Sequence, residues 1–354
     1  MVKLGNKKFL HLNSTIREAI SLIENSKNFI VPVLSKEHKL IGIISDGDIR
    51  RALLKGFKLT DKAKNAMKKD PILAFTSSSE EEIVNIMKEN NVAAIPVVDK
   101  NHKFFYVQQT SQNNIKTKNI NKFWAAIIMA GGEGQRLRPF TIKIPKPMIE
   151  VGGLKLIERQ IKNISKTGLK KIFISTNYLG HLIEDYFEDG KKLNLNIKYL
   201  REKKKLGTAG SLSLLPETPK GPLLITNGDI ITTSNYNKML DYHYELNSSV
   251  TIASVNYKVE IPFGVMKCDH TNVLSLEEKP SETFLCNAGI YVVSPEVIKF
   301  VPKNKEFNMT DLIMVLLKEN KKVSIFPLHE YWKDVGNPND LEEVRVNFKN
   351  EIFK

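Results

Sequence analysis

Between Gly131 and Met148 the sequence sets three glycines and a run of cations close together: Gly131, Gly132 and Gly134, then Arg136, Arg138, Lys143 and Lys146. Glycines let backbone N–H groups approach an anion, and guanidinium and ammonium groups supply counter-charge. The ligand such a stretch suits is a polyphosphate. Neither common phosphate loop fits it. A dinucleotide fingerprint would need its third glycine at Leu137, and a P-loop would need Gly-Lys at Arg136-Leu137. Two acids further along are of the type that a hard cation takes. Asp229 closes Asn227-Gly228-Asp229, and Asp334 lies within Trp332-Lys333-Asp334-Val335-Gly336-Asn337-Pro338. Mg²⁺ takes carboxylates, water and phosphate oxygens, and one or two protein carboxylates are enough.

The pattern GGxGxRLxP followed by PKPM, present as Gly131–Pro139 and Pro145–Met148, resembles the signature of sugar-1-phosphate nucleotidyltransferases. The resemblance covers about residues 124–345. It implies that a sugar 1-phosphate attacks the α-phosphorus of a nucleoside triphosphate, with Mg²⁺ as cofactor and pyrophosphate leaving. On that resemblance Arg136, Lys146 and Asp229 are the catalytic residues, and Asp229 and Asp334 are the metal ligands. Arg136 would hold the β- and γ-phosphates, and Lys146, aimed by prolines on both sides, the α-phosphate. Gly131, Gly132, Gly134, Gly207, Thr208 and Asn227 would form the nucleotide-binding wall. Glu277-Glu278-Lys279-Pro280 resembles the family's sugar-phosphate motif, with Glu278 accepting from sugar hydroxyls or an amine and Lys279 holding the phosphate. Gly264 and Asn287 match the remaining sugar-side positions.

The turn Leu206-Gly207-Thr208-Ala209-Gly210 has the form found in guanylyltransferases of the mannose- and heptose-phosphate type, so GTP is the expected donor, with UTP, dTTP or CTP as the alternative. Together with the N-terminal module described below, the chain resembles glucosamine-1-phosphate guanylyltransferases of bacterial legionaminic acid synthesis. The expected acceptor is therefore glucosamine 1-phosphate or a related hexose 1-phosphate. A competing reading, a nucleotide-sensing subunit with an inactive transferase domain, would have lost a metal acid or the loop arginine. All three are present.

These side chains need rigid carriers. Ala125–Ala130 is a short apolar run of the kind that forms a buried parallel strand, and strands and helices alternate after it. Helical spacing marks Leu154–Thr167 and Leu179–Phe187, and strand patterns mark Lys171–Thr176, Asn196–Leu200 and Pro222–Thr226. Asp229 follows the last of these, at the carboxyl end where an open α/β sheet binds its ligand. After residue 249 shorter β-rich segments predict a partly antiparallel extension that closes over the ligand, and helices return at Asp311–Glu319 and Leu341–Phe348. The fold class expected is α/β, a Rossmann-like doubly wound mixed sheet over 123–354.

Ahead of it lies an internal repeat with a shift of 64 residues: Ser14 falls on Ser78, Glu18 on Glu82, and Val31-Pro32-Val33-Leu34 on Ile95-Pro96-Val97-Val98. Each unit is too small to cover its own sheet, so the two should pack together. The repeat resembles a tandem CBS-domain pair, an α/β module over 1–112 with copies at about 10–57 and 64–112. That resemblance implies an adenine nucleotide at Ser45 and Asp48 of the first copy, or a structural, dimerising module with no ligand. The second copy departs from the ligand signature at Tyr106, Gln109 and Gln112. A polar linker is expected over 113–122.

The chain of 354 residues carries a net charge of +14, with +9 of it in residues 1–122. The lysines are scattered, with no basic helix and no interleaved aromatics, so nucleic acid is not the expected partner. No apolar run approaches the roughly 18 residues of a membrane span, and the opening MVKLGNKKFLHLNST has no apolar core of a secretory signal. Two cysteines, Cys268 and Cys286, form neither a disulfide framework nor a metal cluster. A reduced, cytoplasmic homo-oligomer is expected, a dimer or larger, with no membrane partner.

Overall fold

The computed structural model describes residues 9–26, 29–109 and 122–349. The chain divides into two compact units, Met1–Ile120 and Asn121–Lys354. The linker expected over 113–122 lies outside the described residues except for Lys122.

The first unit is built twice on one plan. In the first copy a short strand Leu10–His11, the helix Ile16–Ser26, strands Ile30–Leu34 and Leu40–Ser45 and the helix Asp46–Leu54 follow in order. In the second, Ala74–Phe75, the helix Glu80–Glu89, Ala94–Val98 and Phe104–Gln109 repeat it. Each copy has a three-stranded sheet whose middle strand runs parallel to the first and antiparallel to the third. Both middle strands are fully buried, as their unbroken apolar runs predict. The copies meet at a Lys39–Lys103 bridge and share a small cluster of Ile30, Ile43 and Ala94.

The second unit is organised by a seven-stranded mixed sheet in the order Asn196–Arg201, Lys171–Thr176, Ala125–Met129, Leu223–Asn227, Ser281–Val293, Val250–Glu260 and Val323–Pro327. Its first four strands are parallel, in the 3-2-1-4 order of a doubly wound fold. Alternate residues of Ala125–Met129 go to two different cores, Ala126 and Ile128 to one and Ala125 and Ile127 to the other. A continuous apolar run is thereby explained, because the strand is buried on both faces. Helices Leu156–Ser165, Gly180–Phe187, Tyr236–Glu245 and Met309–Lys318 cover the sheet. No helix among the described residues is long and apolar enough to cross a membrane.

Strands Val250–Glu260 and Ser281–Val293 run on beyond the sheet as an antiparallel ribbon, followed by the hairpin of Val265–Asp269 and Asn272–Glu277. Residues 256–260 and 281–285 of the ribbon are exposed. This is the antiparallel extension expected after residue 249, and its strands are longer than their apolar pattern indicated, because backbone pairing carries on where no core covers the side chains.

His243 fastens the helix Tyr236–Glu245 to the strand Val250–Glu260 and to Ser294, just past the end of Ser281–Val293. Its ring nitrogens stand 2.9 Å from Thr251 Oγ1 and 2.9 Å from Ser294 Oγ. Burial lowers its pKa to about 4 from an ordinary value of 6.5. The folded state therefore holds the neutral ring, and its contribution is complete above pH 6.5 and is lost as pH falls toward 4, by up to roughly 3 kcal/mol. The urea midpoint of this unit, followed by Trp124 and Trp332 fluorescence, should fall over that range, and the fall should be shallower in His243→Gln. Parallel pH curves for the two proteins would contradict this.

Candidate active site

The site forms where the strand order reverses. Ala125–Met129 and Leu223–Asn227 lie side by side and parallel, and the chain leaves them in opposite directions across the sheet. The glycine loop follows the first strand and Asp229 follows the second. Gly228 N donates to Met129 O at 2.9 Å, tying the two strand ends together.

The loop passes close beneath the turn that carries Lys146. Gly134 has φ +62, and a Cβ there would lie 2.9 Å from Thr141 Cγ2 and 3.0 Å from Lys146 Cβ. Thr141, fully buried, donates to the Gly134 carbonyl at 2.8 Å. Any side chain at 134 would thus displace Lys146. Arg136 lies on the short 3-10 turn Gln135–Leu137, and its guanidinium packs against Gly336, where a Cβ would lie 3.5 Å from Arg136 Nη2.

The two acids meet through a short antiparallel ladder, Ile230–Thr232 against Trp332–Asp334. Ile230 is opposite Asp334, and Val335 N donates to Asp229 O at 3.2 Å. Between the carboxylates sits buried Lys146, which pairs with Asp229 Oδ2 and stands 3.5 Å from Asp334 Oδ1, at ion-pair range without a hydrogen bond. Asp229 Oδ1 and Asp334 Oδ1 are buried with no hydrogen-bond partner. Burial and the charge of Asp229 push the Asp334 carboxyl above its ordinary value, while Lys146 and Arg136 pull it down.

Opposite, Gly207–Gly210 is held by the segment before the helix Met309–Lys318. Ala209 N and Gly210 N both donate to Phe307 O at 2.9 Å, and Thr208 N donates to Asn308 Oδ1 at 3.3 Å. Gly207 has φ +77, and a Cβ would come within 2.8 Å of Phe307 O. Glu202 forms the floor beside Gly131: Ser175 Oγ donates to one carboxylate oxygen and Leu206 N to the other, the latter at 2.9 Å. A cleft of about 560 Å³ results, lined by Gly131, Gly132, Gly134, Arg136, Lys146, Gly207, Thr208, Asn227 and Asp229, all expected from the sequence. Ser175, Glu202 and Asn308 also line it and were not expected.

The sugar-side residues stand apart. Gly264, Glu278 and Lys279 lie on the exposed extension and do not line the cleft, although a Cβ at Gly264 would lie 3.0 Å from Glu278 Oε2. Asn287 is nearer, next to the cleft wall, because Gly289, two residues on, packs against Asn227. Its amide serves local bonds, donating to Tyr291 Oη at 2.8 Å and accepting from Gly289 N at 2.9 Å. In the other unit, Ser45 and Asp48 form a capping box at the start of Asp46–Leu54, with Ser45 Oγ donating to Asp48 Oδ2 at 2.6 Å.

Comparison with known proteins follows the same division of the chain. The nucleotidyl transferase family profile matches residues 125–351, and the CBS domain profile matches 6–55 and 63–106. A mannose-1-phosphate guanylyltransferase of Mycobacterium tuberculosis is 29% identical over 61% of this chain and 62% of its own length. The bifunctional protein GlmU of Methanococcus maripaludis is 33% identical over 64% of this chain and 55% of its own length. The chain therefore spans less than two thirds of these relatives. The crystal structure of HddC from Yersinia pseudotuberculosis superposes with a TM-score of 0.51 at 26% identity, covering 63% of this chain and 99% of that one.

Replacing Lys146 by Met leaves two carboxylates facing each other with no ammonium between them. Free Mn²⁺, which then displaces no lysine, should bind in the absence of nucleotide about tenfold tighter, a change of ~1.4 kcal/mol. Electron paramagnetic resonance titration measures this, and unchanged or weaker binding would rule out the bridging role of Lys146.

Proposed function

The chain belongs to the nucleotidyl transferase family and carries two CBS domains, and from that premise we propose that it transfers a guanylyl group from GTP to a sugar 1-phosphate and releases pyrophosphate. The observation that carries this reading is Lys146 set between Asp229 and Asp334 beside a glycine loop. Backbone N–H groups of Gly131–Gly134 and the Arg136 fork bind the triphosphate. Lys146 offsets the charge that builds up at the α-phosphorus. A phosphate oxygen of the sugar phosphate forms a new bond to that phosphorus as the bond to the β-phosphate oxygen breaks, and the electron pair leaves with pyrophosphate.

Mg²⁺ fits the acid pair. Asp229 and Asp334 each present a buried oxygen with no hydrogen-bond partner, and among the described residues no third His, Cys, Asp or Glu joins them. Two carboxylates completed by water and phosphate oxygens are a donor set for Mg²⁺ and too few for a structural zinc cage. When bound, the ion supplies charge neutralisation across the phosphates.

Guanine is favoured by the Leu206–Gly210 turn and by Glu202. A carboxylate only accepts, and guanine offers adjacent N1–H and N2–H₂ donors, whereas uracil and thymine offer one N–H. Glucosamine 1-phosphate and mannose 1-phosphate are the first acceptors to try, with legionaminic acid synthesis as the expected context of the former. Glu278, Lys279, Gly264 and Asn287 are the residues assigned to the sugar phosphate. The CBS pair is assigned a regulatory adenine nucleotide at Ser45 and Asp48, and pairing of CBS modules would make the chain a homo-oligomer.

Incubation with each of GTP, UTP, dTTP and CTP, Mg²⁺ and a panel of sugar 1-phosphates should release pyrophosphate fastest with GTP. Asp229→Asn should lower kcat by about 10²-fold or more. Absence of pyrophosphate with every pair would refute the reading.

A further inference from the structure

The helix Leu156–Ser165 carries two buried amides on an otherwise apolar face. Gln160 is 1% exposed and Asn163 is 9% exposed, among Leu156, Ile157, Ile161 and Ile164. A leucine at either position would serve the core without needing partners, so the amides are there for their hydrogen bonds. Gln160 Nε2 donates to the carbonyl of Ile230 at 2.5 Å, and Gln160 Oε1 accepts from Tyr236 Oη at 2.8 Å. Asn163 Nδ2 donates to Ser234 O at 3.1 Å. All these bonds link residues at least 70 apart in sequence.

Their targets lie on the segment that runs on from Asp229: Gln160 holds Ile230 and Tyr236, and Asn163 holds Ser234. Ile230 follows Asp229 directly and lies opposite Asp334 in the two-stranded ladder. A ladder of three residues is too short to fix its own position. We propose that Gln160, steadied by Tyr236, is a positioning residue for Asp229 and Asp334: by holding the Ile230 carbonyl it fixes the separation of the two carboxylates and so their grip on a divalent cation. The proposal rests on the reading that this pair takes the cation.

Four variants test it, with two site readouts and Tm as the measure of stability. Mn²⁺ affinity is measured by electron paramagnetic resonance, and hydrogen exchange is followed in peptides spanning 229–235 and 331–336. Gln160→Leu should weaken Mn²⁺ binding at least fivefold and raise exchange in both peptides, and Tyr236→Phe should do the same to a smaller degree. Ile161→Ala, next to Gln160 on the same helix, should lower Tm at least as much and leave both readouts near wild type. If Ile161→Ala moves them as far as Gln160→Leu, or if neither Gln160→Leu nor Tyr236→Phe moves them, the positioning role is wrong. Should Gln160→Leu fail to fold, Tyr236→Phe with no effect on either readout overturns it alone. Asp229→Asn separates the two claims: if it leaves Mn²⁺ affinity unchanged, the cation reading fails, and hydrogen exchange still decides whether Gln160 holds the ladder.

Discussion

Two carboxylates from distant parts of the chain face one another with a single ammonium between them, and the rest of the second unit is arranged around that contact. Unit charges about 4 Å apart near a protein surface interact by roughly 4 kcal/mol. Without a cation between them the carboxylates of Asp229 and Asp334 would repel one another. Lys146 supplies the cation, and its turn can reach them because Gly134 leaves room below it.

The doubly wound order of the first four strands puts these groups at one crevice. Met129 and Asn227 pair at the ends of neighbouring parallel strands, so the glycine loop and Asp229 emerge side by side. The base-side wall comes from elsewhere, with Leu206–Gly210 pinned to Phe307 and Asn308 by hydrogen bonds that span about a hundred residues. Glycine loop, acid pair and the Leu206–Gly210 turn are thus each tied to distant parts of the chain by hydrogen bonds or ion pairs.

Much of this was legible in the sequence because the chemistry is concentrated in short motifs. Gly131–Met148, Asn227–Asp229 and Trp332–Pro338 each announce a turn with a charged residue at a fixed place, and the cleft gathers residues from all three. The CBS repeat was legible from its 64-residue shift, and both copies fold to the same sheet plan. Glu202, Asn308 and Gln160 were not legible. Glu202 sits in a lysine-rich run that reads as a solvated turn, and Gln160 in LIERQIKNIS interrupts a helical pattern as any surface polar residue would. Glu202 accepts from Ser175, Asn308 from Thr208, and Gln160 bonds Ile230 and Tyr236, contacts 27 to 100 residues apart that no local spacing encodes. The sugar side was legible only as motifs, since Glu278 and Lys279 lie in an exposed bend outside the cleft.

Nucleotidyl transfer at the Lys146–Asp229–Asp334 cluster is tested most directly by the fate of each phosphorus. GTP labelled at the α- or the γ-phosphate is incubated with Mg²⁺ and sugar 1-phosphates, and the products are separated. Transfer of the nucleotidyl group puts the α-label in the sugar-bearing product and the γ-label in pyrophosphate. A γ-label in the sugar-bearing product, which is phosphoryl transfer, would contradict it.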